Sequence, residues 1–210
     1  MKKFVILIML VFTACAACAA ESELIVDKAK GEVIFPAEIN GKYLVSYTKH
    51  AASFYKGGNG EKSLMRALVS ELDFHKALLD LGAVPGDNIK IEDMNAKSSA
   101  EGKAAEGSKL KIFLTWDGSN GEVSLDDAII SEVKDGEPRP FDIRFSGNFE
   151  FASKHRPGCF ICLDSCAAGI CTNASWPTGA LNNKEVNFKG NSKVLPPDGT
   201  RVNVIVRLVK

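Results

Sequence analysis

Several absences narrow this sequence before any motif does. It has no surplus of either charge: Lys and Arg number 26, as do Asp and Glu, for a formal net charge of zero. No basic run breaks that balance. Nucleic acid is therefore not the expected partner, because phosphate neutralisation needs clustered cations. No apolar run reaches the roughly twenty residues that cross a bilayer as a helix. Histidine is scarce, at three residues, and no Ser/His/Asp or Cys/His arrangement can be read from spacing. The expectation is a protein that is not an enzyme. Cysteine is missing between Cys18 and Cys159 and again after Cys171.

What is present begins with the leader. MKKFVILIMLVFTACAACAA, residues 1–20, has two lysines, an apolar run from Phe4 to Phe12 and a small-residue exit. Those are the three regions of a secretory signal peptide. Phe-Thr-Ala-Cys15 has the form of a lipobox, with Cys15 the residue to be acylated and Cys18 the alternative. The expected location is extracytoplasmic, in the periplasm or cell envelope. The expected partners are the membrane surface, reached through a lipid anchor, and an envelope or redox protein. The leader has no twin-arginine pair, so the chain is expected to cross the membrane unfolded and to acquire any cofactor afterwards. Outside the cytoplasm thiols tend toward disulfides.

At 210 residues the chain is long enough for one generous domain or two small ones. In the first half, 21–94, GEVIFPAEI (31–39) and KYLVSYTKH (42–50) read as strands joined across Asn40-Gly41, a favoured hairpin turn. The clear helix is ELDFHKALLDL, about 71–81, opened by Ser70 and Asp73 and closed by Gly82. Residues 95–109, NAKSSAEGKAAEGSK, have no large apolar side chain and read as a flexible connector. The second half, 110–210, is β-patterned, ending in RVNVIVRLV with Val202, Val204, Val206 and Leu208 on one face. The expected fold class is α+β: mainly antiparallel strands with one clear helix and a cysteine-rich loop inserted at 158–171.

That segment, GCFICLDSCAAGIC, carries the chemistry: Cys159, Cys162, Cys166 and Cys171. Two structural disulfides are the leading expectation, given export and an even count, and sequence cannot choose among three pairings. On that reading there is no cofactor. The alternative is a 4Fe–4S cluster on the four thiolates, with Phe160, Ile161, Leu163 and Ile170 shielding it. Zinc and thiol–disulfide catalysis are lesser options. His50, His75 and His155 read as packed or surface imidazoles, and Asp126-Asp127 as a solvated pair. Gly57–Ser63 lacks the spacing of a phosphate-binding loop, so no nucleotide is expected.

HAASFYKGGNGEKSLMRALVSELDFHKALLDLGAVPGDN (50–88), LTWDG, FSGNFE and the cysteine segment resemble the YdjY-domain family. These are exported or lipid-anchored bacterial proteins often described as ferredoxin-like. The resemblance covers nearly all of the mature chain and implies that Cys159, Cys162 and Cys166 are the family's cysteines. Ala167 stands where that pattern has proline, and Cys171 is a fourth cysteine beyond it.

Overall fold

The segment Glu32–Ile39 alternates as a strand buried on one face should, with Val33, Phe35, Ala37 and Ile39 fully enclosed. The rest of the fold is arranged around it. The computed structural model describes residues 23–210; the expected leader, with Cys15 and Cys18, lies outside the described residues. Along the chain come β1 (Ile25–Asp27), β2 (Glu32–Ile39), β3 (His50–Phe54), β4 (Ser63–Ala67) and α1 (Glu71–Leu81). Next are β5 (Lys109–Thr115), β6 (Val123–Ser124), α2 (Leu125–Ala128), β7 (Ile129–Val133), β8 (Ile143–Phe145) and α3 (Phe149–His155). The last are β9 (Cys159–Cys162), β10 (Cys171–Asn173), β11 (Val186–Gly190) and β12 (Arg201–Leu208).

Eight strands close on themselves in the order β2-β12-β5-β8-β10-β9-β3-β4, with β4 returning to β2. Closure removes the open edges that a sheet must otherwise protect. On one side of β2, β1 covers the first half and β4 the second. Pro36, which has no N–H to donate, sits at the changeover.

This corrects the expected α+β class. The protein is mostly β, a closed barrel in which β3–β4 and β9–β10 pair in parallel. Helix is a minor part of it. Two local readings change with it. Residues 42–50 form no hairpin strand: Gly41–Leu44 is a 3-10 turn, and the Asn40 amide donates to the Leu64 carbonyl at 2.8 Å instead. The cysteine segment is not a loop carried outside the sheet, since both its ends are barrel strands, β9 and β10. CFIC is a continuous apolar run, and all four of its residues are buried, as a strand covered on both faces requires.

The helix is where the local signals place it. The Ser70 hydroxyl accepts from the Asp73 amide, and Gly82 ends the helix at φ +94°, a left-handed conformation suited to glycine. It lies against β1, β2 and β9, and its Phe74 packs between Phe35 and Phe160. Residues on either side of 95–109 build the one barrel. Within that segment the Ala105 amide donates to Ser165 Oγ at 3.0 Å. A Cβ on Gly102 would meet the Thr178 carbonyl oxygen at 2.0 Å.

His75 of α1 is packed against Phe145 and Phe149. Burial holds its pKa below the ordinary imidazole value, with Asp87 pulling the other way. The unfolded chain therefore binds this proton more readily than the folded one. Stability from the neutral ring is present above about pH 6.5 and falls as pH drops through it. His75→Gln should remove that part of the acid loss, read by urea melts at about pH 7.5 and 5.5. An unchanged pH dependence in the variant would contradict the assignment.

Candidate metal centre

β3 and β9 run antiparallel with a broken register: His50 faces Cys162, Ala52 faces Ile161 and Ser53 faces Cys159. In a regular strand, residues three apart point to opposite faces. The irregularity re-aims them, as bulges do, so that both cysteine sulfurs reach the same histidine. Cys162 Sγ lies 3.5 Å from His50 Nδ1 and Cys159 Sγ lies 3.7 Å from it. The three donor atoms all fall within 4.8 Å of one another. Both cysteines are buried and His50 is half-buried. Between them, Phe160 and Ile161 are fully buried in the apolar core.

The glycine-rich loop at 57–60 supports this group from the side. The Gly58 and Asn59 amides donate to the carbonyls of Arg156 and Pro157 at 3.1 and 2.9 Å. A Cβ on Gly57 would come within 2.5 Å of the Gly158 Cα, so only glycine permits that approach. The contact brings Asn59 Nδ2 to 3.3 Å from Cys159 Sγ, to which it donates. The Cys159 thiol is pushed well below its ordinary pKa, first by hydrogen bonding from Cys162, then by His50 and Asn59, against the opposing effect of burial. Cys162 is pushed well above, by Cys159 first, then Cys166 and burial. Of the two, Cys159 is the more acidic thiol.

Of the other expected site residues, Cys166 is half-buried and close enough to Cys162 to shift it. Cys171 lies apart, fully buried in the barrel core, its pKa raised by burial alone. Among the described residues the four cysteines are free thiols. The loop between β9 and β10 is nevertheless tied down. Asn148 Nδ2 donates to the Cys166 and Gly169 carbonyls at 2.9 and 2.8 Å, and the Ser165 amide donates to the Trp176 carbonyl at 2.8 Å.

His50 is the residue that sequence reasoning passed over, taking it for a packed or surface imidazole. It stands 109 residues before Cys159, and only barrel closure joins them. His155 stays outside the group, its ring against Phe151. Asp127 closes a cap with Ser124, and Asp126 accepts from the Phe141 amide. Neither aspartate belongs to the site.

Two sulfurs and an imidazole nitrogen are ligands for a soft or borderline cation. A zinc–sulfur bond of about 2.3 Å at a tetrahedral angle spaces two thiolates by roughly 3.8 Å. The two sulfur–nitrogen separations, 3.7 and 3.5 Å, are of that order.

A closed β-barrel with a buried Cys-x-x-Cys beside a histidine is the class that fold and site define. Within it the chain belongs to the YdjY-domain family, whose family model matches residues 24–207. It is similar to the protein called "Uncharacterized protein YdjY" of Escherichia coli (strain K12). The two are 36% identical over 186 residues, covering 88% of this chain and 78% of that one. No solved structure matches.

Proposed function

We propose that this is an extracytoplasmic metal-binding protein that holds one soft cation, of the Zn2+ or Cu+ type, through His50 Nδ1, Cys159 Sγ and Cys162 Sγ. The observation that carries this reading is the convergence of those three atoms within 4.8 Å in a buried site. Cys166 influences Cys162 from outside this three-atom group. The leader and the Phe-Thr-Ala-Cys15 box support export and attachment to the membrane surface, with Cys18 the alternative acylation point. The role is binding rather than catalysis, in the service of an envelope or redox protein.

The iron–sulfur alternative draws less support. A cluster holds its cysteines farther apart than one ion does, because several irons and sulfides lie between them. Cys171, moreover, sits in the core rather than with the other three. On the disulfide reading, proximity gives Cys162 two candidate partners, Cys159 and Cys166.

Reduced, metal-free protein should bind one equivalent of Zn2+ and, with Co2+, develop thiolate-to-metal charge-transfer absorption. Protein that binds no metal under reducing conditions would defeat the proposal; iron with labile sulfide would favour the cluster. Asn59→Ala removes a hydrogen bond to the ligating sulfur and should weaken Zn2+ affinity by about tenfold or more, read by chelator competition.

A further inference from the structure

His50 has a second environment. It lines a cavity of about 310 Å³ together with Tyr43, Tyr47, Lys49, Lys62 and Leu181. Lys49 Nζ donates to Asn182 Oδ1 at 2.7 Å and Lys62 Nζ to Asn59 Oδ1 at 3.1 Å, both neutral acceptors. Among the described residues neither ammonium has an ion-pair partner. The carboxylates nearby are already engaged. Glu61 is paired with Arg66, and Glu132 with Lys189 and the Tyr47 hydroxyl. Asp164, the remaining acid near Lys49 and His50, is buried and does not line the cavity. The cavity thus carries a cationic excess, walled by phenols and a leucine side chain that exclude water from one side. That combination fits small anions better than cations or apolar ligands.

We propose that this cavity binds a small dianion, a dicarboxylate or a phosphate, held between Lys49 and Lys62 and lying over the exposed edge of His50. Cys159 and Cys162 are enclosed, so of these three residues His50 is the one that reaches solvent. An anion in the cavity would cover that edge. The inference shares His50 with the metal reading but does not require a bound ion.

The test uses full-length mature protein, metal-free and kept reduced with dithiothreitol, titrated separately with succinate and with inorganic phosphate in chloride buffer. At least one should bind, weakening as salt rises, and the ring protons of His50 should shift in NMR spectra. Lys49→Gln with Lys62→Gln, two exposed changes, should weaken binding by tenfold or more. Binding by succinate alone or phosphate alone identifies the anion. Failure of both at concentrations on the order of 10 mM, binding unchanged in the double variant, or binding without a His50 shift would each overturn the proposal. His50→Gln separates the two readings: it should abolish Zn2+ binding and keep most of the anion affinity. Anion binding in a protein that takes no metal would sink the metal reading and leave this one standing.

Discussion

Phe160→Ala should destabilise the protein by about 3–5 kcal/mol, lowering Tm by roughly 6–20 °C for a chain of this size. The ring is fully buried. It stacks on Phe74 of α1 with centroids 4.6 Å apart and planes 17° from parallel, and meets Phe35 of β2 at 4.8 Å. It therefore joins the helix to two barrel strands that are not neighbours. Truncation leaves a cavity walled by closed sheet, which has little freedom to collapse around the gap. Phe149 provides the contrast: its ring is 45% exposed, and its replacement by alanine should cost far less. Urea melts of both variants check the pair. A loss below about 1 kcal/mol for Phe160→Ala would mean that this cluster is not the core described here.

The second large effect concerns the metal. Cys162→Ser and His50→Ala each remove a direct donor. Each should lower Zn2+ affinity by more than the roughly 10–100-fold that outer-sphere partners typically contribute. Serine is close to cysteine in size, so Cys162→Ser keeps the packing while replacing a soft ligand by a hard, rarely ionised one. Cys171→Ala should leave affinity unchanged, because that thiol belongs to the core and not to the group. The pattern of outcomes matters more than any single value. Equal loss on changing any of the four cysteines would instead indicate the four-thiolate cluster. Binding should also weaken as pH falls, since thiolates and imidazole must shed protons to ligate. The depressed pKa of Cys159 opposes that loss, and the raised pKa of Cys162 adds to it.

How far these features were legible in the sequence depended on range. The helix at 71–81 is written in adjacent residues, Ser70 with Asp73 at one end and Gly82 at the other, and local chemistry placed it correctly. The alternation of β12 likewise announced Val202, Val204 and Val206 as core. Asn40-Gly41 misled because a favoured hairpin dipeptide is only a local preference. Here β2 already pairs with β1, β4 and β12, leaving no free edge for a hairpin partner. The cysteine segment reads locally as an insertion between strands, yet CFIC and CTN complete the barrel wall. What no local pattern contained was the antiparallel pairing of β3 with β9 and its broken register, which alone brings His50 to Cys159 and Cys162.

That pairing makes one measurement decisive. X-ray absorption at the zinc edge, on reduced mature protein carrying one equivalent of Zn2+, reports the atoms around the ion directly. The account requires sulfur scatterers at about 2.3 Å and imidazole nitrogen at about 2.0–2.1 Å. A shell of light atoms without sulfur, or four sulfurs without imidazole, would contradict it.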